Sequence, residues 1–166
     1  YALRGARARF DRYKAAFEAA KNPSIRQRYL VALGAFGDPA LESAALQYSL
    51  DGPLRPNETF AVPLTVAQGS DAAGDRVFEW TLANYEKLAG RLPESFRPFF
   101  AGAGAGCSAE RFEKAMKFFT DPSRNVQGME RQLAKVGDQV KDCVGLRARE
   151  SGAVATYLRG SVGAAR

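Results

Sequence analysis

The residue types most often used in catalysis and metal binding are sparse in this chain. It contains no histidine, which excludes Ser-His-Asp triads, imidazole general bases and histidine-containing zinc sites. Two cysteines, Cys107 and Cys143, are too few for a four-cysteine zinc site. We expect both to be buried, small apolar side chains, and a single disulfide between them is the alternative. The sequence therefore predicts no catalytic residue and no metal ligand.

Two further patterns have the composition of chemical motifs. Residues 101–106 alternate alanine and glycine before a predicted helix, and such a segment can offer backbone N–H groups to a phosphate. It lacks the Gly-Lys-Ser/Thr of a Walker motif and follows no strand, so we interpret it as a flexible connector. Glu79 and Glu86 lie two turns apart on one predicted helix. Without a pocket or metal partner, we expect them to be solvated surface charges and not an acid–base pair.

The charge balance is basic but mixed along the chain. The 166 residues include 24 basic and 18 acidic side chains, and 17 of the basic ones are arginine. A nucleic-acid-binding domain should concentrate such charge on one stripe. Here the two signs are interleaved, as in residues 110–114, which indicates solvated helix faces. No stretch approaches the roughly 20 apolar residues that cross a bilayer. We expect no nucleic-acid partner and no membrane span.

Composition also bounds the organisation of the chain. An apolar fraction of 46% and a charged fraction of 25% are typical of a globular protein, and this length suits one folded domain over residues 1–166. The sequence opens at Tyr1 without a methionine, and its first 20 residues carry five basic side chains where a signal peptide has its apolar core. We therefore expect this chain to be a piece of a longer protein. Abundant alanine and arginine are typical of high-GC coding, so we expect a bacterial source.

Helical spacing and capping residues predict helices along nearly the whole chain. A first helix is expected from Arg7 to Lys21, and the apolar segment 57–68 is expected to bend at Pro63. Apolar residues recurring every three or four positions predict one long amphipathic helix over residues 125–158. Four other helices are each expected to begin at a cap residue. The third of them, which begins at Ser70 or Asp71, is expected to run to about Gly90. These caps are Asn22 and Asp38, each followed by proline, then Ser70 or Asp71, and Ser108.

No alternating strand pattern is present, so the sequence predicts an all-α fold. Short helices paired antiparallel through Pro- or Gly-marked turns favour an irregular α-solenoid of the HEAT or armadillo kind, closed by the long helix. A closed helical bundle is the alternative. We prefer the solenoid because several predicted helices are apolar on two faces, as stacked layers require.

Four segments, in the correct order, resemble the helical domain of aminopeptidase N-type zinc metallopeptidases. Leu46-Gln47-Tyr48-Ser49-Leu50-Asp51 with Leu54-Arg55 is similar to the family's L-x-Y-S/T/A-L-D…I-R segment. Residues 79–88 resemble its a-W-x-F-x-x-N-W-x-x-L helix, with Leu82 and Tyr85 as substitutions, and residues 108–119 resemble its F-S/T…V-x-x-F-F helix. Residues 129–158 look like its closing helix, with Tyr157-Leu158 in place of a final Trp-Leu. The resemblance spans about residues 23–160.

The resemblance implies a non-catalytic C-terminal domain, as in the puromycin-sensitive and insulin-regulated aminopeptidases. In that family the upstream catalytic domain holds zinc through His-Glu-x-x-His and a distal glutamate. This sequence lacks those motifs, so no catalytic residue and no cofactor are assigned to this chain, and zinc is expected in the parent enzyme. The helical domain would cap the active-site chamber and help to admit or hold the peptide. Its expected partners are its own upstream catalytic domain and the peptide substrate.

Arg55 and Arg124 lie on loops beside predicted helices, and they are our candidates for contact with peptide carboxylates. Plain surface charge is the alternative for each.

Two other functions compete with the aminopeptidase domain. One is an autonomous helical-repeat scaffold that binds a protein partner, and the other is a basic helical repeat that binds nucleic acid. A self-contained scaffold needs polar terminal faces. The first predicted helix is instead aromatic, with Phe10, Tyr13 and Phe17, so we expect an upstream segment to cover it.

Overall fold

The computed structural model describes residues 2–163, with the side chains of residues 6–159. Within that range every regular element is a helix, which confirms the all-α class. Two 3-10 helices cover Pro56–Glu58 and Glu94–Gly104. The α-helices are α1 (Ala2–Ala19), α2 (Pro23–Gly34), α3 (Pro39–Asp51), α4 (Ala61–Ala67), α5 (Asp71–Ala83), α6 (Tyr85–Gly90), α7 (Ala109–Phe119) and α8 (Met129–Gly163).

Contacts between residues divide the chain into two compact units, one ending at Arg97 and the other beginning at Pro98. In the first unit α1 packs on α2, α2 packs on α3 and α4, and α4 packs on α3 and α5. In the second unit α7 packs along α8. The solenoid arrangement and the single domain stay predictions.

The helix starts that capping residues predicted are confirmed. Each cap side chain accepts a hydrogen bond from a backbone N–H in the first turn, a donor that has no partner inside the helix. Pro23 and Pro39 occupy the first helical positions, where a missing N–H costs nothing. These hydrogen bonds form at Asn22, Asp38, Ser70 and Ser108.

The helix expected to run to Gly90 is interrupted at Asn84, so that prediction is wrong. The backbone of Asn84 leaves the helical region (φ −113°, ψ 12°), and its side-chain amide donates to the Trp80 carbonyl at 2.8 Å. A short amide side chain that bonds the preceding turn competes with the regular helical pattern. The chain therefore forms α5 and α6 in place of one helix.

Pro63 lies in the first turn of α4, where its missing N–H interrupts no helical hydrogen bond, and the bend of segment 57–68 at this residue stays a prediction. One other local prediction is wrong. The Ala-Gly segment expected to be a flexible connector is helical as far as Gly104, because it continues the 3-10 helix Glu94–Gly104. Phe100 and Ala101 of that helix are buried.

The core of the first unit covers the aromatic face of α1. Phe10 and Phe17 retain 2% and 0% of their accessible surface and share one cluster with Leu30 of α2 and Val62 of α4. Tyr13 packs against the same cluster and is half-buried. The expectation that an upstream segment must cover this face is therefore wrong, since the helices of the first unit already bury it.

In the second unit a disulfide joins Cys107, just before α7, to Cys143 of α8. The expectation of two buried free thiols is therefore wrong. Both residues are half-buried, and the packing of α7 along α8 brings their Cα atoms to 5.1 Å, within the range that a disulfide spans.

The predicted long helix is confirmed as α8, but only its first part is covered by the unit. Met129, Leu133, Val136 and Val140 are buried. Every residue from 146 to 159 is exposed. Among the helices that the structure describes, α8 included, none combines the length and the apolar character needed to span a membrane.

Candidate functional site

Arg55, the first predicted contact residue, precedes the 3-10 helix Pro56–Glu58, and its side chain is exposed. Its backbone N–H donates to the carboxylate of Glu58 at 2.9 Å. Glu58 is buried and accepts two hydrogen bonds from Arg26, from Nε at 2.6 Å and from Nη2 at 2.8 Å. A buried bidentate ion pair therefore fixes the backbone from which the Arg55 guanidinium extends.

Arg26 also donates hydrogen bonds to backbone carbonyls of the first unit. Nη1 donates to the Phe17 carbonyl at 3.2 Å and Nη2 to the Pro53 carbonyl at 3.4 Å, while the guanidinium lies 4.0 Å from the centre of the Phe17 ring. The hydrogen bonds from Arg26 hold the pKa of Glu58 below its usual range, against the opposing effect of burial. The pair therefore stays ionised and joins α1, α2 and the loop after α3, so it serves the fold and is unsuited to proton transfer.

Arg91 stabilises the segment that carries the first motif of the resemblance. Arg91 is the C-cap of α6. Its two terminal nitrogens donate to carbonyls at the C-terminal end of α3 and in the following loop. A cation at this end also complements the partial negative charge of the helix terminus. The accepting carbonyls belong to Ser49, Leu50, Gly52 and Leu54. Sequence reasoning missed this role, because Arg91 is about 40 residues from its partners in the chain.

Tyr48, in the same motif, is a buried structural residue. Its hydroxyl donates to the carboxylate of Glu18 at 2.8 Å, and its ring packs edge-to-face on Phe17 with centroids 6.0 Å apart. Burial raises the pKa of Tyr48 above its usual range, and the hydrogen bond to Glu18 acts in the same direction. Tyr48 is therefore a neutral donor that joins α3 to α1.

Arg124, the second predicted contact residue, lies between α7 and α8 in the second unit. Its Nε donates to the Phe118 carbonyl at 2.9 Å, and its guanidinium lies 4.1 Å from the centre of the Phe118 ring. One terminal nitrogen is 3.4 Å from the carboxylate of Asp121. Arg124 is half-buried, so part of its hydrogen-bonding capacity is used to hold the loop after α7. Peptide contact by Arg55 and Arg124 stays a prediction.

A groove of about 400 Å³, which no sequence motif predicted, lies between α7 and α8. Its floor depends on Gly137, where a Cβ atom would lie 2.7 Å from Cζ of Phe112, so the Phe112 ring rests against the backbone of α8. Charged side chains recur beside the apolar stripe of α8 in the sequence, but that pattern alone does not indicate which helix packs there. The lining residues are Phe112, Met116 and Thr120 of α7, and Glu130, Leu133, Ala134, Gly137, Asp138 and Lys141 of α8.

No candidate metal centre is found in the part of the chain that the structure describes. There, no group of three or more cysteine, aspartate or glutamate side chains is placed to hold an ion, and the whole sequence lacks histidine. The described residues therefore do not fit a zinc ion.

Comparison with known families matches residues 1–142 to the ERAP1-like C-terminal domain. Comparison with curated proteins finds no match. The family match begins before the resemblance predicted from the motifs and ends within α8, so residues 143–160 of that resemblance lie outside it. Arg55, Arg124 and the α7–α8 groove all lie inside it.

Proposed function

This chain belongs to the ERAP1-like C-terminal domains of aminopeptidase N-type enzymes, and we propose that it serves such an enzyme as a helical cap over the chamber where peptides are cleaved. The family is the non-catalytic C-terminal part of those aminopeptidases. The match over residues 1–142 of this 166-residue chain is the observation that carries the proposal.

The residues present assign zinc binding and peptide binding to different domains of the enzyme. Zinc would be bound by the upstream catalytic domain, where a metal ion activates water and polarises the scissile carbonyl. This chain would contribute exposed cationic side chains, since its formal net charge is +6. Cationic side chains such as the exposed Arg55 can bind the carboxylates of a peptide that enters the chamber. The buried Arg26–Glu58 pair supports this role by fixing the backbone beneath Arg55.

The proposal is tested first on the gene and then on the enzyme. The reading frame upstream of Tyr1 should encode His-Glu-x-x-His, a distal glutamate and the Gly-x-Met-Glu-Asn segment that grips the substrate amino terminus in this family. Deleting the present chain from that enzyme should reduce kcat/KM for peptides of ten or more residues by at least about tenfold. Hydrolysis of a single aminoacyl-nitroanilide should change less, because it needs only the catalytic site. An upstream frame without those motifs would overturn the proposal and favour an independent scaffold.

The contact residues can be tested separately in the same enzyme. Arg55→Ala should raise KM about two- to fivefold for a peptide with a free carboxyl terminus and leave KM for the amidated peptide unchanged. Arg7→Ala removes another exposed guanidinium of the first unit and serves as the matched control. Equal effects of Arg55→Ala on both peptides would contradict carboxylate binding.

A further inference from the structure

The α7–α8 groove combines an apolar floor with charged edges. Leu133 is almost fully buried beneath it, Phe112 is half-buried and Met116 keeps 36% of its surface exposed. The volume of about 400 Å³ falls in the range of small-molecule and side-chain pockets. It is large enough for one or two apolar side chains of a ligand.

The charges along the α8 edge are predominantly negative and accessible. Glu130, Asp138 and Lys141 are all exposed. Within the described part of the chain, the side chains of Asp138 and Lys141 form no hydrogen bond or ion pair, and Glu130 accepts one long bond, from Asn125 at 3.3 Å. At 1.5 Å of rise per residue, Glu130 and Asp138 lie roughly 12 Å apart along the helix. Both carboxylates are therefore available to a ligand.

We infer that this groove binds a polypeptide segment in which one apolar side chain is flanked by two basic side chains. An extended chain advances roughly 3.3 Å per residue, so basic residues four positions apart span about 13 Å and match the two carboxylates. The apolar residue midway between them then faces Met116 and the Phe112 ring. Lys141 lies one turn beyond Asp138 and disfavours a third basic residue there. This inference goes beyond the proposed function and does not depend on it, because it concerns binding by this chain alone.

Binding is measured by fluorescence anisotropy with the complete 166-residue chain. The probe is a labelled peptide with blocked ends, Lys-Ala-Leu-Ala-Lys, so that only side chains carry charge. Glu-Ala-Leu-Ala-Glu and Lys-Ala-Ser-Ala-Lys test the charge and the apolar requirement. We expect the first peptide to bind at least about fivefold more tightly than either of the others, and its affinity to fall as salt is raised.

Substitutions on α8 locate the binding to the groove. Asp138→Asn should weaken the lysine peptide about two- to fivefold, whereas Asp142→Asn, the same change one position outside the lining, should leave it unchanged. Lys141→Gln should tighten binding by a similar factor. Ala134→Leu fills the groove from an exposed position and should weaken binding at least about tenfold, and Ala148→Leu at another exposed α8 position is its control.

Any one of the following results would overturn the inference. The first is equal binding of the glutamate and lysine peptides. The second is equal affinity of the Asp138→Asn and Asp142→Asn variants. The third is self-association in analytical ultracentrifugation that Ala134→Leu abolishes, because the groove would then be occupied by a second copy of the chain. If the peptide fails to bind but deletion of the domain still impairs cleavage of long peptides, the proposed function stands and this inference fails.

Discussion

Replacing Glu58 by glutamine tests the assignment of the Arg26–Glu58 pair as a polar support of the first unit. The substitution leaves the shape of the side chain nearly unchanged but removes its charge. Arg26 then remains charged, with only 7% of its surface exposed and no carboxylate to compensate it. Removing one partner of a buried ion pair typically costs about 3–5 kcal/mol, because the other charge stays desolvated and unpaired. We expect the free energy of unfolding to fall by that amount at pH 7.

The effect should depend on pH in a direction that the pair determines. The hydrogen bonds from Arg26 lower the pKa of Glu58 in the folded state. The stabilisation is therefore complete above the pKa of an unfolded glutamate, about 4.3, and is lost as pH falls through the lower folded value. The difference in the free energy of unfolding between the wild type and Glu58→Gln should be constant from pH 7 to about pH 5 and should decrease below about pH 4.

The assay is urea unfolding followed by fluorescence of Trp80, the single tryptophan, which packs against the core of the first unit. Asp11→Asn is the control, because it removes the carboxylate of an exposed pair with Arg7 and should cost less than about 1 kcal/mol. A second variant, Arg26→Met with Glu58→Leu, removes both charges and should recover most of the loss. If Glu58→Gln is no more destabilising than Asp11→Asn, or if the double variant is the least stable, the reasoning is refuted.

Two further predictions concern the second unit and are followed by far-ultraviolet circular dichroism during urea unfolding. Gly106 has φ +120°, and a Cβ there would lie 1.9 Å from Nη2 of Arg111. Gly106→Ala should therefore lower the free energy of unfolding by about 1–3 kcal/mol or more. The control is Gly102→Ala, whose Cβ meets no atom within 4 Å and which should be neutral or slightly stabilising. Equal stability of the two variants would contradict this. The Cys107–Cys143 disulfide closes a loop of sequence separation 36, which the chain-entropy relation converts to about 4 kcal/mol. Reductant should lower the free energy of unfolding of the second unit by that amount in the wild type and should have no effect on Cys143→Ser. An equal response of the wild type and Cys143→Ser would show that the disulfide does not contribute.

The helix starts could be predicted because their causes are local. Asn22, Asp38, Ser70 and Ser108 each accept a hydrogen bond from a residue two or three positions ahead, so the signal lies within four residues of sequence. The same local reasoning failed at Asn84, where a side chain with weak helix propensity lies inside an apolar pattern. Periodicity predicted the continuous helix there, and the hydrogen bond from Asn84 to Trp80 accompanies its interruption.

The polar supports and the groove could not be predicted, because they depend on which helices meet. Arg26 and Glu58 are 32 residues apart, and the two cysteines are 36 apart. In sequence, an arginine on an amphipathic helix is indistinguishable from a solvated charge until its partner is known. The same holds for Asp138, which becomes part of a groove only because Gly137 admits the Phe112 ring beside α8.

The residues that carry the family resemblance act mainly in packing. Tyr48 is buried and bonded to Glu18, Tyr85 retains 4% of its surface and Phe119 none. Arg91 lies outside the motifs and fixes the loop of the first one, which ends at Leu54. A signature of this kind records how helices contact one another, so it identifies the domain without encoding a reaction. The charged groove residues Glu130, Asp138 and Lys141 lie within segment 129–158 of the resemblance, but their side chains are exposed and do not take part in this packing. A variant at Asp138 should consequently change what this chain binds while leaving its fold intact, whereas a variant at Tyr48 or Arg91 should lower the stability of the first unit.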